Sequence, residues 1–447
     1  MTDKRTVDHL ATVIEQYMIR NHLFVENCPW QIRSSPLGGF GVFAKRNIEA
    51  GDLIFRDLPV ILGPRCLNVP LECCLQCFSK SDVKICEKKC GLLLCPSCDN
   101  EGKHQGECSL ILSLKTDLDL VEKSTAMIKC LAPLRSLLLS EEDKEVVKNL
   151  KNHWGNQHGH EIDILTDELH FKIPKDDQNF MRFVCSVLDA NAFEVIVVNK
   201  QAQTSLRGLY PLGSLANHSC FPNAFHVFDD ERRMVTRASV FIEKDSEIFD
   251  SYSRVIWGTA TRSMHLKKTK HFVCKCKRCL DPTEFGTYMS SILCKNCRGN
   301  LIPTNPLKSC AWKCEDCNEI VPLKDVARVF SLIGSVLKCF DDGDFELMDS
   351  FLKGKLATLV PKFSQVVVEI KYKIIWILGY QEKYSWKDMS TELLELKREY
   401  CEDLLKLLKK LNMGQCKMRG LLLYEVFQCL EEILQRKNNN DEKLPIY

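Results

Sequence analysis

A chain of 447 residues, 45% hydrophobic and 27% charged, has the balance of a globular protein, with material for roughly two to four domains. A formal net charge of +2 gives no general attraction to nucleic acid or to an anionic membrane. The longest apolar runs, such as "LRSLLL", fall far short of a membrane span, and the N-terminal segment lacks the apolar core and cleavage site of a secretory signal; the expected compartment is therefore a reducing one, nucleus or cytosol.

In chain order, residues 1–24 place Leu10, Val13, Ile14, Tyr17 and Met18 at helical spacing. From Trp30, "WQIRSSPLGGFGVFAKRNIEAGDLIFRDLPVIL" alternates short apolar strands with Pro and Gly turns. Residues 73–108 are rich in cysteine and poor in apolar side chains. Residues 109–205 read as mostly helical, "QNFMRFVCSVLDANAFEV" included. Strand texture returns over 224–252. Residues 325–435 carry amphipathic helical stretches such as "LLELKREYCEDLLKLLKKL", and the polar end "RKNNNDEKLPIY" reads as a loose tail. Between the strand segments, "SLANHSCFPNA" over 214–224 is polar enough to predict a surface loop.

The 25 cysteines are the compositional anomaly. In a long chain without a secretory signal, CxxC and CxC clusters indicate zinc rather than disulfides. Cys74, Cys77, Cys86, Cys90, Cys95, Cys98, His104 and Cys108 form four ligand pairs, enough for two tetrahedral sites. Cys73 competes with Cys74 for the first position. So short a segment without an apolar core must take its folding energy from the metal. Cys274, Cys276 and Cys279 are one ligand short of a closed site, and Cys220 of the polar run is the candidate fourth. Cys294, Cys297, Cys314 and Cys317 have zinc-ribbon spacing, with Cys310 spare. All these sites are filled by protein ligands, which disfavours zinc hydrolase chemistry. The scattered Cys28, Cys66, Cys130, Cys185, Cys339, Cys401, Cys416 and Cys429 read as small buried hydrophobes. In the first cluster Lys80, Lys84, Lys88, Lys89 and Lys103 are offset by Glu72, Asp82, Glu87, Asp99, Glu101 and Glu107, so it offers no basic face to nucleic acid.

Together these pieces resemble the SET- and MYND-domain (SMYD) lysine methyltransferases over about residues 28–282, and most closely their arthropod SmydA-like subgroup. "GGFGVFAKRNIEAGDLIF" resembles the opening SET motif, "GLYPLGSLANHSCFPNA" the central one, "SEIFDSY" the closing one and "FVCKCKRC" the post-SET zinc segment. The eight-ligand cluster sits inside the SET region, as the MYND finger does in that family. Departures are Phe40 where an arginine or another polar residue is common, Asp245-Ser246-Glu247 where Gly-Glu-Glu is common, Phe249 where threonine often sits, and three residues between Cys86 and Cys90.

The resemblance implies an α+β fold: a SET-domain β-fold split by a MYND zinc finger, with a post-SET zinc segment and an all-α C-terminal domain. The expected division is an N-terminal helix over 1–27, SET parts at 28–72 and 206–255, the finger at 73–108, a helical insert at 109–205, the post-SET segment at 256–285, a ribbon-like segment at 290–320 and the helical domain at 325–435. The implied activity is methyl transfer from S-adenosylmethionine to a protein lysine, on a histone or another protein, with a role in transcriptional regulation. The backbone at Gly39, Phe40 and Gly41 would approach the cofactor, since glycine admits a close main chain. Asn217 and His218 would bind its polar end and adenine, Phe272 would stack on the adenine, and Tyr252 would orient amine and methyl. The implied cofactors are S-adenosylmethionine and structural zinc, and the expected state is a monomer. A second reading makes the chain an interaction protein whose finger docks proline-rich peptides and recruits corepressors, with the SET core as a scaffold.

Overall fold

The computed structural model describes residues 6–64, 73–79, 82–100, 102, 104–114, 124–152, 158–199, 202–338, 340 and 343–441. Cys66, Cys339, Glu72, Lys80, Glu101, Lys103 and residues 442–447 lie outside them.

The first helix, Val7–Arg20, starts where the Thr6 hydroxyl accepts from His9 N at 3.2 Å, and it buries Leu10, Val13, Ile14, Tyr17 and Met18. This is the face that the spacing predicts. Trp30–Ser34 and Phe40–Ala44 then form an antiparallel hairpin, closed by a turn in which Gly38 and Gly39 have φ of 96° and 70°. Only glycine takes two such angles in succession without strain. Leu53–Asp57 joins Met234–Ala238 and Ala224–Phe228 in a three-stranded sheet. Ile61–Pro64 pairs with Ala202–Leu209, which pairs with Phe193–Asn199. The first helix and these sheets share one core that includes Trp30, Val42, Ile54, Tyr210 and Ile248.

Three expectations are corrected. The helical reading of 109–205 fails at its end: the helix Lys175–Asn191 stops and Phe193–Asn199 is a strand. "FEVIVVN" is rich in β-branched residues, and it gains a ladder of seven residue pairs with Ala202–Leu209. The polar run at 214–224 is not a surface loop. Its Cys220 and Ala224 are 1% exposed, His218 5% and Ser219 7%. Asn217–His218 pairs in parallel with Phe249–Asp250, so the central and closing motifs are adjacent strands. The last helix, Lys417–Asp441, carries residues 436–441 that read as a loose tail.

The finger also has an apolar core that its composition conceals. Leu75, Leu92 and Leu94 are at most 1% exposed and pack with Ile111, Leu131, Leu134, Leu165 and Met181 of the helical insert. Burying a leucine contributes about 1.5–3 kcal/mol, so metal is not the finger's only source of folding energy. The ribbon is a four-stranded antiparallel sheet, Ile292–Leu293, Asn300–Pro303, Trp312–Cys314 and Ile320–Val321. Its Leu301 and Trp312 join one core with the C-terminal helices Leu323–Leu337, Phe345–Lys353, Gln365–Ile377, Thr391–Lys410 and Lys417–Asp441. Among the described residues no helix is long and apolar enough to cross a membrane.

Of the scattered cysteines, Cys28, Cys130, Cys185, Cys401 and Cys429 are buried, and Cys416 is half-buried. Cys73 is buried in the main core, whereas Cys74 points into the finger's ligand cluster.

Candidate active site and metal centres

The turn after Ser34, the central motif and the closing motif meet around one buried carboxylate. Glu247 is 8% exposed. Its Oε1 accepts from Asn217 Nδ2 at 2.7 Å and its Oε2 from the Ser35 hydroxyl at 3.0 Å. Asn217 Nδ2 also donates to Phe40 O at 2.9 Å, tying the glycine turn to the central motif. The Asn217 Oδ1 takes no partner among the described residues and is the atom of that side chain with capacity left. A Cβ at position 41 would collide with Glu247 Oε1 and stand 3.0 Å from Asn217 Nδ2. Gly41 therefore clears space for the protein's own Asn217–Glu247 pair, while at Gly38 and Gly39 a Cβ would meet nothing within 4 Å. The second motif asparagine clamps the closing strand: Asn223 Nδ2 donates to Glu247 O at 2.8 Å and its Oδ1 accepts from Phe249 N at 2.7 Å.

His218 sits behind this layer with both ring nitrogens engaged. Nδ1 accepts from Tyr252 N at 2.9 Å, which makes Nε2 the donor toward Cys220 Sγ at 3.1 Å. Burial lowers its pKa to about 4, so the ring is neutral near pH 7. The ring nitrogens orient Tyr252 and a metal-ligand cysteine, and the imidazole has its faces and its backbone left for other contacts. Its centroid lies 5.2 Å from the Tyr252 ring and 5.8 Å from the Phe272 ring.

The Tyr252 hydroxyl donates to Ala216 O at 2.7 Å, and its carbonyl lies 3.2 Å from His265 Nε2. Burial first, then the charges of Asp250 and Glu247, raise the pKa of its phenol. Tyr252 is thus a neutral hydrogen-bonding group, not a proton acceptor. Asp250, beside it, pairs with His226 Nδ1 at 2.5 Å; burial lowers the His226 pKa, and the charge and hydrogen bond of Asp250 together more than reverse this. Phe272 follows His271, whose left-handed φ of 58° ends the helix Thr259–Lys270 and turns the chain toward the cysteines.

The cysteines converge into four groups whose ligand atoms lie within 4.8 Å of one another: Cys74, Cys77, Cys95 and Cys98; Cys86, Cys90, His104 and Cys108; Cys220, Cys274, Cys276 and Cys279; Cys294, Cys297, Cys314 and Cys317. A tetrahedral zinc with arms of about 2.3 Å separates its sulfurs by roughly 3.8 Å. The observed sulfur separations are 3.8 Å for Cys77–Cys95 and Cys86–Cys108, 3.7 Å for Cys294–Cys317, 3.5 Å for Cys220–Cys279 and 3.4 Å for Cys297–Cys314. His104 turns Nε2 toward Cys86 Sγ at 2.9 Å. Four protein donors per group, all cysteine sulfur except His104, and no open position fit zinc that holds structure rather than zinc that catalyses. The finger's pairs interleave, the first with the third and the second with the fourth. Elemental analysis of the purified protein is expected to give about four zinc per chain, one for each group. A count of three would remove the ribbon site, whose Cys297 and Cys317 are exposed.

Several residues of this neighbourhood escape a reading of motifs. Glu247 is there the glutamate of the closing motif with no role assigned to it, and Ser35, His226 and Asp250 are not singled out. Arg262, Arg278 and Glu284 are at most 1% exposed yet lie in a stretch of ordinary charged residues. Nothing in their spacing signals burial.

Comparison with known proteins places this geometry. The SET domain family matches residues 39–253. The chain is 30% identical over 434 residues to SET domain-containing protein SmydA-8, isoform A, of Drosophila melanogaster, covering 94% of this chain and 92% of that protein. It is 25% identical over 334 residues to histone-lysine N-methyltransferase ASHR1 of Arabidopsis thaliana, covering 68% and 67%. It is 24% identical over 263 residues to N-lysine methyltransferase SMYD2 of Homo sapiens, covering 55% and 59%. With the SET motifs joined around Glu247 and Tyr252 and a two-site cysteine finger inserted between them, the chain belongs to the SET and MYND domain (SMYD) family, in its SmydA-like group.

Proposed function

We propose that the protein is an S-adenosylmethionine-dependent protein-lysine N-methyltransferase that acts on a histone or another protein, in the nucleus or cytosol, and serves transcriptional regulation. The observation that carries this reading is the convergence of Asn217, Tyr252 and Phe272 on the joined central and closing strands, with the Tyr252 hydroxyl held at Ala216 O. The names of the relatives that are methyltransferases support the same activity class.

S-Adenosylmethionine would supply an electrophilic methyl group on sulfur, and the residues present suit it: a half-buried aromatic, an amide oxygen without a partner and a glycine turn. Phe272 would stack on its base and Asn217 Oδ1 would accept from its polar end. Tyr252, neutral at working pH, would orient the lysine amine for in-line attack by hydrogen bonding rather than by removing a proton. The buried surroundings of Tyr252 disfavour a charged amine, so a lysine of ordinary pKa about 10.4 would react as the free base. In the transfer the lysine nitrogen would form its N–C bond as the S–C bond breaks, and the methylated ammonium would lose a proton to solvent.

Calorimetry with zinc-loaded protein tests the reading. Micromolar binding of S-adenosylmethionine is expected, with a loss of at least about tenfold in Asn217→Ala, which removes a ligand contact and leaves Glu247 a buried carboxylate short of one donor. A folded, fully metallated protein that binds no cofactor would sink the enzyme reading. It would leave the SET core as a scaffold and direct attention to proline-rich partners of the finger.

A further inference from the structure

Beside the Cys220, Cys274, Cys276 and Cys279 group lie three charged side chains sealed from solvent. Arg262 and Arg278 are 0% exposed and Glu284 is 1% exposed. Arg262 Nη1 donates to Glu284 Oε2 at 2.8 Å, and Arg278 Nε donates to the same oxygen at 3.2 Å. The other Glu284 oxygen accepts from Thr259 N at 3.0 Å and from the Ser290 hydroxyl at 2.7 Å. Two guanidiniums therefore share one carboxylate, which leaves a net positive charge in a dry interior. Buried charge persists only where something opposite compensates it.

The compensation is at hand in the sulfurs. Arg262 Nη2 donates to Cys279 Sγ at 3.6 Å; Arg278 stands beside the group, its Nη1 3.4 Å from the Cys220 carbonyl oxygen and its Nη2 3.1 Å from Met289 Sδ. A divalent zinc held by four thiolates carries a formal charge of about −2. Among the described residues no guanidinium hydrogen-bonds a sulfur of the other three clusters. We propose that Arg262 and Arg278 are the built-in counter-charge of the metal centre at Cys220, Cys274, Cys276 and Cys279. The centre and its arginines stabilise each other, and neither is at ease in the fold without the other. The same guanidiniums position the loop that leaves Tyr252: Arg278 donates to Val255 O at 2.7 Å and to Trp257 O at 2.9 Å, and Arg262 also donates to Trp257 O. The inference stands on the zinc assignment and is independent of the methyltransferase reading.

The test uses the full-length, zinc-loaded protein, a chromogenic chelator to time zinc release and mass-spectrometric mapping of thiol alkylation. In Arg262→Met, one zinc of the four is expected to leave at least about tenfold faster, with alkylation rising only at Cys220, Cys274, Cys276 and Cys279. Arg262→Lys keeps the charge but not the fork that reaches Glu284, Thr259 and Cys279, and should release clearly more slowly than Arg262→Met. Glu284→Gln removes the opposing negative charge and keeps shape and one of the two acceptor oxygens, the other becoming an amide NH2 toward which the Ser290 hydroxyl can turn its lone pairs; it should release no faster than wild type. Equal acceleration in Arg262→Met and Arg262→Lys, or acceleration in Glu284→Gln, would show that packing and not charge governs the site and would overturn the proposal. If Arg262→Met loses all four zincs together it has unfolded, and Glu284→Gln then decides alone: unchanged or slower release upholds the proposal, faster release ends it. Wild-type protein with no zinc at these cysteines would overturn it at the outset.

Discussion

Tyr252→Phe is expected to lose methyl transfer by at least about 10²-fold while binding S-adenosylmethionine within a few-fold of wild type. The hydroxyl is the only part of the side chain removed. The ring that packs 5.2 Å from His218 remains, and so do the backbone bonds from Tyr252 N to His218 and from His265 to the Tyr252 carbonyl. What disappears is the donor to Ala216 O at 2.7 Å. The stability cost of one such bond is about 1 kcal/mol, too little to unfold the site. A large catalytic loss beside unchanged cofactor affinity is what an orienting hydroxyl produces, because its contribution is spent in the transition state and not in ground-state binding. Single-turnover methyl transfer and calorimetry on the same preparation check it. Equal turnover in the two proteins would end the role assigned to Tyr252. A parallel loss of cofactor affinity would move Tyr252 from the reacting end of the pocket to its cofactor wall.

Cys276→Ser should have the largest effect on the folded state, lowering metal content, thermal stability and cofactor affinity together. Structural zinc contributes on the order of 10 kcal/mol in small zinc-folded units, and a site left with three thiols holds it far more weakly. Cys276 is the residue before the short helix Lys277–Leu280, and the helix supplies both Cys279 and the buried Arg278. Phe272 packs against the same cysteines, so an empty centre frees the aromatic that the cofactor would stack on. The metal count is expected to fall by one of four, with protease sensitivity appearing near residues 271–280. An unchanged count would mean that Cys276 was misassigned as a ligand of this centre. The losses should exceed those of Arg262→Met, because a ligand is removed and not its compensating charge.

The parts of this protein that its residue order discloses share a physical character: they depend on neighbours within one turn of chain. The first helix buries the five residues that a 3.6 period selects. Each CxxC pair aims two sulfurs at a common point, because four residues of turn suffice to do so. The order of the SET motifs is likewise a property of the chain, and the family follows from it.

What tertiary structure alone decided lies across longer separations. Which finger pairs close on the same metal is set by the hairpin Lys84–Ile85 with Leu93–Leu94, and the pairing is interleaved. "SLANHSCFPNA" is polar in composition and buried in fact, because Asn217–His218 pairs in parallel with Phe249–Asp250 and Glu247 accepts from the amide nitrogens of both asparagines. Phe193–Asn199 abandons a helical neighbourhood because a strand partner offers it a ladder. The finger's three leucines look isolated until the insert helices supply the other half of their core. Arg262, Arg278 and Glu284 are ordinary surface residues by type, and only the fold seals them beside four sulfurs. Local geometry is written in spacing. Burial and charge compensation depend on segments tens of residues apart, whose meeting no short pattern encodes.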